Sequence, residues 1–178
     1  MPEKYNLTSR VFHWLIALMI FVLFGVGLYM SGLPDDHPSR GSLYGLHKAS
    51  GFLLIWLVVA RILWTAVLTR APAMPDALPA RDVKIHKAVI GLLYLLMLIV
   101  PVSGFLMSTF AGFPVDFFGL FEVPLLFEKN RQLGGFFHEV HEYAPWLLMG
   151  LVVLHVLGAV RHRLADPGGP TDVLKRML

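Results

Sequence analysis

The chain has 178 residues, of which 56% are apolar, and it combines a formal net charge of +3 with no cysteine. Soluble domains are about 45–50% apolar, so the excess favours a membrane protein. The absence of cysteine excludes cysteine-ligated iron–sulfur clusters, covalently attached c-type haem and disulfide frameworks. The small charge and the scattered basic residues give no sign of a nucleic-acid interface.

Four apolar stretches are long enough to cross a bilayer as helices, because a hydrocarbon core of about 30 Å requires about 20 helical residues. In chain order they cover about 11–33, 47–69, 87–113 and 137–162. Apolar residues surround each predicted helix on all sides, which is typical of membrane spans and not of amphipathic surface helices. The sequence therefore predicts an all-α, integral membrane four-helix bundle formed by a single domain over 1–178.

The connecting segments are polar, proline-rich or short. The segment 71–80, APAMPDALPA, cannot be regular helix. The segment 116–131 contains an apolar core, FFGLFEVPLLF, which we expect either to lie on the membrane surface or to fold over the bundle. The sequence after Asp166 predicts a short exposed tail. Lys4 and Arg10 precede an apolar run that is too long for a signal-peptide core, so we interpret that run as an uncleaved first span.

The orientation follows from the basic residues of the short connections, which are enriched on the cytoplasmic side of membrane proteins. With the N-terminus in the cytoplasm, the inner side carries Lys4, Arg10, Arg70, Arg81, Lys84, Lys87, Arg161, Arg163, Lys175 and Arg176. The outer side carries only Arg40, Lys48, Lys129 and Arg131. This asymmetry predicts that both termini are cytoplasmic.

Histidines are the candidate functional residues, because a histidine at membrane depth is costly unless it has a partner. His141 and His155 are 14 residues apart in the fourth span. In a helix this spacing places them on one face, offset by about 40° and separated by about 21 Å along the axis. His13 enters the first span near the inner side, and His47 enters the second near the outer side. Depth therefore pairs His47 with His141 and His13 with His155.

Two level imidazole pairs are suited to two stacked haems in a helix bundle. Ligation by two imidazoles gives a six-coordinate iron, which favours electron transfer over oxygen binding. The alternative for each histidine is a structural role as a hydrogen-bonded polar residue between helices, or another metal use.

The other four histidines are less suited as ligands. His138 competes with His141 but points away from the face shared with His155, by about 100°. His37 lies in a loop, and His162 is flanked by arginines at the aqueous edge. His86 opens the third span, where it serves either as an ordinary interfacial residue or in a quinone site or proton delivery.

Arg61 is a basic residue inside the second span, 14 residues after His47 and therefore on the same face at the depth of the inner pair. A buried arginine requires an anionic partner, and the spans offer no carboxylate at that depth. A haem propionate would supply the anion in bidentate geometry. The alternative is that Arg61 extends to the inner membrane interface.

Several motifs together resemble the bacterial cytochrome b561 family over nearly the whole chain. They are the Y-x-x-x-x-R-x-x-HW stretch ending at His13 and Trp14, LHKASG around His47, Arg61, LPARDVKIHKAVIGLLYLLMLIVPVSG, HE at His141 and GLVVLH ending at His155. The resemblance implies four helices and two b haems ligated by His13, His47, His141 and His155. It also implies electron transfer between a small anionic reductant at the outer face, with superoxide proposed, and a ubiquinone-type membrane quinone.

The resemblance thus implies a quinone-linked oxidoreductase of the bacterial inner membrane, in contact with lipid. One alternative is a cytochrome b anchor subunit of a larger dehydrogenase or hydrogenase, although the short loops offer little docking surface. Another is a transporter or scaffold without haem, which no inverted repeat in the sequence favours.

Overall fold

A computed structural model describes residues 4–69, 72–73 and 75–178 of the chain. Its long helices are α1 (Leu7–Ser31), α2 (Arg40–Leu63), α3 (Ala80–Phe110) and α4 (Arg131–Ala165). A π-helical turn, Trp64–Leu68, extends α2. Each of the four is long and apolar enough to cross a membrane, which confirms the predicted four-span helical architecture.

The helices extend beyond the predicted spans at their N-terminal ends. Helices α2, α3 and α4 begin at Arg40, Ala80 and Arg131, because hydrogen bonding along a helix continues into the polar interface after the apolar window has ended. Helix α4 begins where the Asn130 side chain accepts hydrogen bonds from the backbone N–H groups of Gln132 and Leu133, which is an N-cap.

Helix α3 ends at Phe110 and not near residue 113, since Gly112 turns the chain with a φ of +85°. The proline-rich connection from α2 to α3 is non-helical up to Pro79 in its described part. Arg70, Ala71 and Met74 lie outside the described residues, so the predictions for them stay predictions.

The bundle has a small apolar core and a large apolar exterior. The core consists of Ile16, Ile20, Leu54, Val58, Leu93, Leu96 and Leu148. Of the most apolar 18-residue stretch of each helix, only 6–22% is buried inside the bundle. Most apolar side chains therefore face outward, where lipid and not water is the favourable environment.

Helix α3 packs closely along α4, while α2 packs against both α1 and α3. Within the described residues, α1 and α2 make few close backbone approaches to α4. Helix α4 is therefore attached to the bundle mainly through α3.

A two-stranded hairpin interrupts the helical architecture between α3 and α4. Strand β1 (Val115–Phe117) pairs antiparallel with β2 (Phe121–Val123). Phe118 and Gly119 form the turn with φ values of 54° and 73°, the left-handed region typical of tight hairpin turns. The all-α prediction did not include this hairpin.

The hairpin folds over the end of α2. Val115 and Val123 are buried, and the Phe117 ring lies 6.0 Å from the ring of Phe52 in α2. Leu120 and Phe121 remain exposed. One face of this segment thus covers the bundle, as one of the two sequence alternatives expected, and its other face stays apolar and open.

The C-terminal tail is packed, so the prediction of a short exposed end was wrong. Asp172 has 0% and Arg176 3% of its surface exposed. The Asp172 carboxylate accepts hydrogen bonds from the Arg163 side chain and from the backbone N–H groups of Gly168 and Lys175. Burial alone would raise the pKa of Asp172, but these hydrogen bonds together bring it below its ordinary value.

The tail also joins the two termini. The Tyr5 backbone N–H donates to the carbonyl of Arg176 at 3.0 Å, and Trp14 Nε1 donates to the carbonyl of Met177 at 3.0 Å. Both termini therefore lie at one end of the bundle, here called the termini end. The opposite end, which carries β1 and β2, is called the hairpin end.

Candidate functional site

Four histidines from three helices form two facing pairs. At the termini end, the rings of His13 in α1 and His155 in α4 have centroids 6.3 Å apart and planes inclined by 68°. At the hairpin end, the rings of His47 in α2 and His141 in α4 have centroids 6.2 Å apart and planes inclined by 79°. The structure thus brings together the residues that the sequence pairs by depth.

The spacing within each pair accommodates one metal ion between two imidazoles. Metal–imidazole nitrogen bonds are about 2 Å long, and the ring centre lies about 1 Å behind the nitrogen, so two axial ligands place their centroids about 6 Å apart. Among the described residues, no group of three or more histidine, aspartate or glutamate side chains converges on one point. Each pair would therefore suit a metal ion that brings its remaining ligands with it, as the iron of a haem does.

The hydrogen bond of His141 leaves one of its nitrogens free for a metal. His141 Nδ1 lies 2.8 Å from the carbonyl oxygen of Val100 in α3. With Nδ1–H donating to that carbonyl, Nε2 is the unprotonated nitrogen and can coordinate. Metal-ligating histidines ordinarily donate their second ring nitrogen in this way, which fixes the tautomer and the ring orientation.

His47 provides the second test of fit. Its Nδ1 atom is buried and has no hydrogen-bond partner among the described residues. Buried polar atoms in folded proteins are nearly always paired, and an exception calls for a functional explanation. An imidazole with an unpaired buried nitrogen, directly opposite His141, suits a coordinating ligand.

Arg61 lies beside the termini-end pair. Only 8% of its surface is exposed. Its Nε donates to the hydroxyl of Tyr94 in α3 at 3.0 Å, and Nη1 lies 3.4 Å from the carbonyl oxygen of Ser9 in α1. The side chain is buried between α1 and α3, which does not favour the alternative that Arg61 extends to the interface.

The charge of Arg61 is close enough to act electrostatically on His13 and His155. No described carboxylate lies within ion-pair distance of its guanidinium. A buried, uncompensated cation is costly, so the site is suited to a cofactor that brings an anionic group.

Comparison with known proteins agrees with this geometry. The family model described as prokaryotic cytochrome b561 matches residues 4–178. The chain belongs to this family. It is 32% identical over 177 residues to cytochrome b561 homolog 2 of Escherichia coli (strain K12), an alignment that covers 99% of this chain and 92% of that protein. As a family member, the chain is a multi-pass membrane b-type cytochrome that binds haem b and transfers electrons.

Three of the remaining histidines of this cytochrome belong to neither pair. The His138 side chain is 65% exposed and lies 3.9 Å from Glu142. His162 Nε2 lies 3.9 Å from Asp82 at the start of α3. His37 Nδ1 accepts a hydrogen bond from the Ser39 backbone N–H in the loop before α2. Among the described residues, none of these three faces another histidine ring.

His86 is half-buried in the second turn of α3. It is close enough to interact electrostatically with His155, His162 and Arg176. The choice between an interfacial role and a role in proton delivery or quinone binding therefore stays a prediction.

Sequence reasoning missed the partners that α3 contributes to this cytochrome. Tyr94 contacts Arg61, and the Val100 carbonyl and the Ser103 hydroxyl approach His141. A signal was present, since Pro101, Ser103 and Gly104 interrupt an otherwise apolar span. Such residues in a membrane helix often mark contacts with a neighbouring helix.

Proposed function

We propose that this cytochrome holds two b haems, one between His13 and His155 and one between His47 and His141. The single observation that carries the proposal is the pair of centroid distances, 6.3 and 6.2 Å, at two levels of one helix bundle. Electrons would enter at one membrane face from a small reductant and leave to a membrane quinone of the ubiquinone type.

The chain's own residues would perform three tasks. His13, His47, His141 and His155 would supply imidazole nitrogens to the two irons, an arrangement that favours electron transfer over oxygen binding. When bound, the haems supply two centres that each accept and release one electron. The helices keep the centres in a low-dielectric interior, and Arg61 places a fixed positive charge beside the termini-end pair.

The orientation belongs to this proposal. The basic residues are concentrated around the termini end, and the positive-inside rule supports a cytoplasmic location for that end. The hairpin end then faces outward from the bacterial inner membrane. The donor would approach His47 and His141 from that side.

The exposed basic residues at the hairpin end are fewer than the sequence suggests. Arg40 is paired with Asp35 at 2.7 Å, and Lys48 Nζ donates to the carbonyl oxygen of Pro114 at 2.8 Å. Lys129 and Arg131 are exposed and form no ion pair with any described residue. They are therefore the better candidates for attracting an anionic reductant such as superoxide.

Reversing the charge of Lys129 should slow the reduction of the cytochrome by superoxide. In liposomes that contain ubiquinone and the purified chain alone, we expect Lys129→Glu to lower the second-order rate about 3- to 10-fold at low ionic strength. The difference should vanish at high salt, because the interaction between exposed charges is screened. Stopped-flow absorbance of haem reduction gives the rate.

The matched control is Lys84→Glu, an exposed position of α3 at the termini end. It should leave the rate unchanged. Equal rates for wild type and Lys129→Glu at low salt would contradict the steering role. Quinone reduction that requires a second subunit would instead support an anchor subunit of a larger dehydrogenase or hydrogenase.

A further inference from the structure

The ring of His141 occupies space that a side chain on α3 would otherwise fill. A Cβ atom built at Gly104 would lie 2.7 Å from His141 Cε1, 3.0 Å from Nδ1 and 3.2 Å from Nε2. Carbon atoms in contact prefer separations of about 3.5–4.0 Å. Any residue larger than glycine at position 104 would therefore push the ring away.

Two polar groups from the same turn of α3 meet the same ring. The Val100 carbonyl oxygen lies 2.8 Å from His141 Nδ1. The Ser103 hydroxyl donates to that carbonyl at 2.8 Å and lies 3.4 Å from Nδ1. Val100, Ser103 and Gly104 are spaced at i, i+3 and i+4, so they share one face of the helix. We call these three residues the α3 notch.

We infer that the α3 notch positions His141, by fixing both the plane of its ring and the direction of the nitrogen that faces His47. The inference rests on the proposed function, because it assigns the notch to the hairpin-end haem. Gly104 limits how the ring can shift or tilt, and Val100 fixes which nitrogen carries the proton. These residues touch the ligand and not the iron, so they are positioning residues.

The opposite side of the same site is less tight. A Cβ atom at Gly27 of α1 would lie 3.4 Å from His47 Cε1, and one at Gly91 of α3 would meet no atom within 4 Å. The three glycines form a graded series in which the same small change produces severe, slight and no crowding. Glycine-to-alanine substitution also favours helix formation, so lost helix propensity cannot explain a defect.

The experiment compares Gly104→Ala, Gly27→Ala and Gly91→Ala with the purified wild type. Changing a residue that holds a metal ligand in place commonly costs about 10- to 100-fold in affinity for the metal group. We expect Gly104→Ala to weaken hairpin-end haem binding by a factor in that range, or to retain the haem with an altered low-spin electron paramagnetic resonance signal. The termini-end signal should not change. Gly91→Ala should match wild type, and Gly27→Ala should lie closer to wild type than to Gly104→Ala.

Ser103→Ala tests the notch without crowding the ring. Removing the hydroxyl takes away a competing donor to the Val100 carbonyl, so the bond from His141 Nδ1 should strengthen and make the ligand more basic. We expect the midpoint potential of the hairpin-end haem to fall while the other stays constant. A redox titration followed in the visible α-band resolves the two.

The inference that the α3 notch positions His141 is refuted if Gly104→Ala keeps both haems with unchanged resonance signals and potentials, or if it loses both haems equally. An unchanged pair of potentials in Ser103→Ala would remove Ser103 from the notch. Failure of the proposed function has a different signature. The wild-type protein would then bind fewer than two haems, or the His141→Ala variant would retain the hairpin-end haem.

Discussion

Replacing His141 with alanine is expected to remove one haem from the cytochrome and to leave the other in place. The ring centroids of His141 and His47 are 6.2 Å apart, and the hydrogen bond to the Val100 carbonyl fixes the tautomer of His141. His13 and His155 form the second pair, with a centroid distance of 6.3 Å. Because the two pairs share no ligand, the haem content should fall from two per chain to one. Haem extraction as the pyridine complex, combined with protein quantification, measures the ratio.

His138→Ala is the matched control, since it removes the neighbouring histidine of the same helix. The His138 side chain is 65% exposed, so this variant should keep both haems and their spectra. His47→Ala should reproduce the spectrum of His141→Ala. The single variants His13→Ala and His155→Ala should each lose the other haem. Loss of haem in His138→Ala with retention in His141→Ala would contradict the assignment.

Neutralising Arg61 is expected to lower the midpoint potential of the termini-end haem. A fixed positive charge favours the reduced iron, which carries one positive charge less than the oxidised iron. A unit charge at about 10 Å, with an effective dielectric constant of about 20, contributes roughly 1.7 kcal/mol. Since a tenfold change, about 1.4 kcal/mol, corresponds to about 59 mV for one electron, Arg61→Gln should shift the potential by roughly 70 mV.

Two further variants separate charge from geometry in this experiment. Arg61→Lys keeps the charge but loses the planar donor set that contacts Tyr94 and Ser9, so its potential should lie between those of wild type and Arg61→Gln. Arg131→Gln removes an exposed charge at the hairpin end and should leave the termini-end potential unchanged. Equal midpoint potentials of the termini-end haem in Arg61→Gln and wild type would show that the charge of Arg61 does not act on that haem.

The helices and the histidine pairs could be predicted because both depend on regular geometry. Each apolar run must cross a bilayer of fixed thickness as a helix. The helical repeat then places His141 and His155 on one face of their helix from their spacing alone. The same reasoning pointed His138 away from the shared face. The exposure of His138 agrees with that.

The tail and the hairpin escaped prediction because the contacts that stabilise them leave no regular pattern in the sequence. The sequence around Asp172 does not indicate that the Arg163 side chain donates a hydrogen bond to its carboxylate. A tail rich in glycine, proline and charge is typical of an exposed end. Strands as short as β1 and β2 carry almost no periodicity. Their pairing depends on the left-handed turn at Phe118 and Gly119.

The fine structure of the site was also beyond sequence reasoning. The Val100 carbonyl that meets His141 is a backbone atom, and any residue type would provide it. The choice between an inward and an outward Arg61 depended on its rotamer, which Tyr94 and Ser9 determine from other helices. Gly104 marks a helix contact in the sequence, but only the structure identifies His141 as the neighbour.

The most direct measurement of the central claim is the number and spin state of the haems in the purified, detergent-solubilised wild-type chain. We expect two b haems per chain, both six-coordinate and low-spin. Their electron paramagnetic resonance signals should be strongly anisotropic, because the ligand planes are inclined by 68° and 79° and so lie nearer to perpendicular than to parallel. A chain that binds one haem or none, or a haem that remains five-coordinate and high-spin, would contradict it.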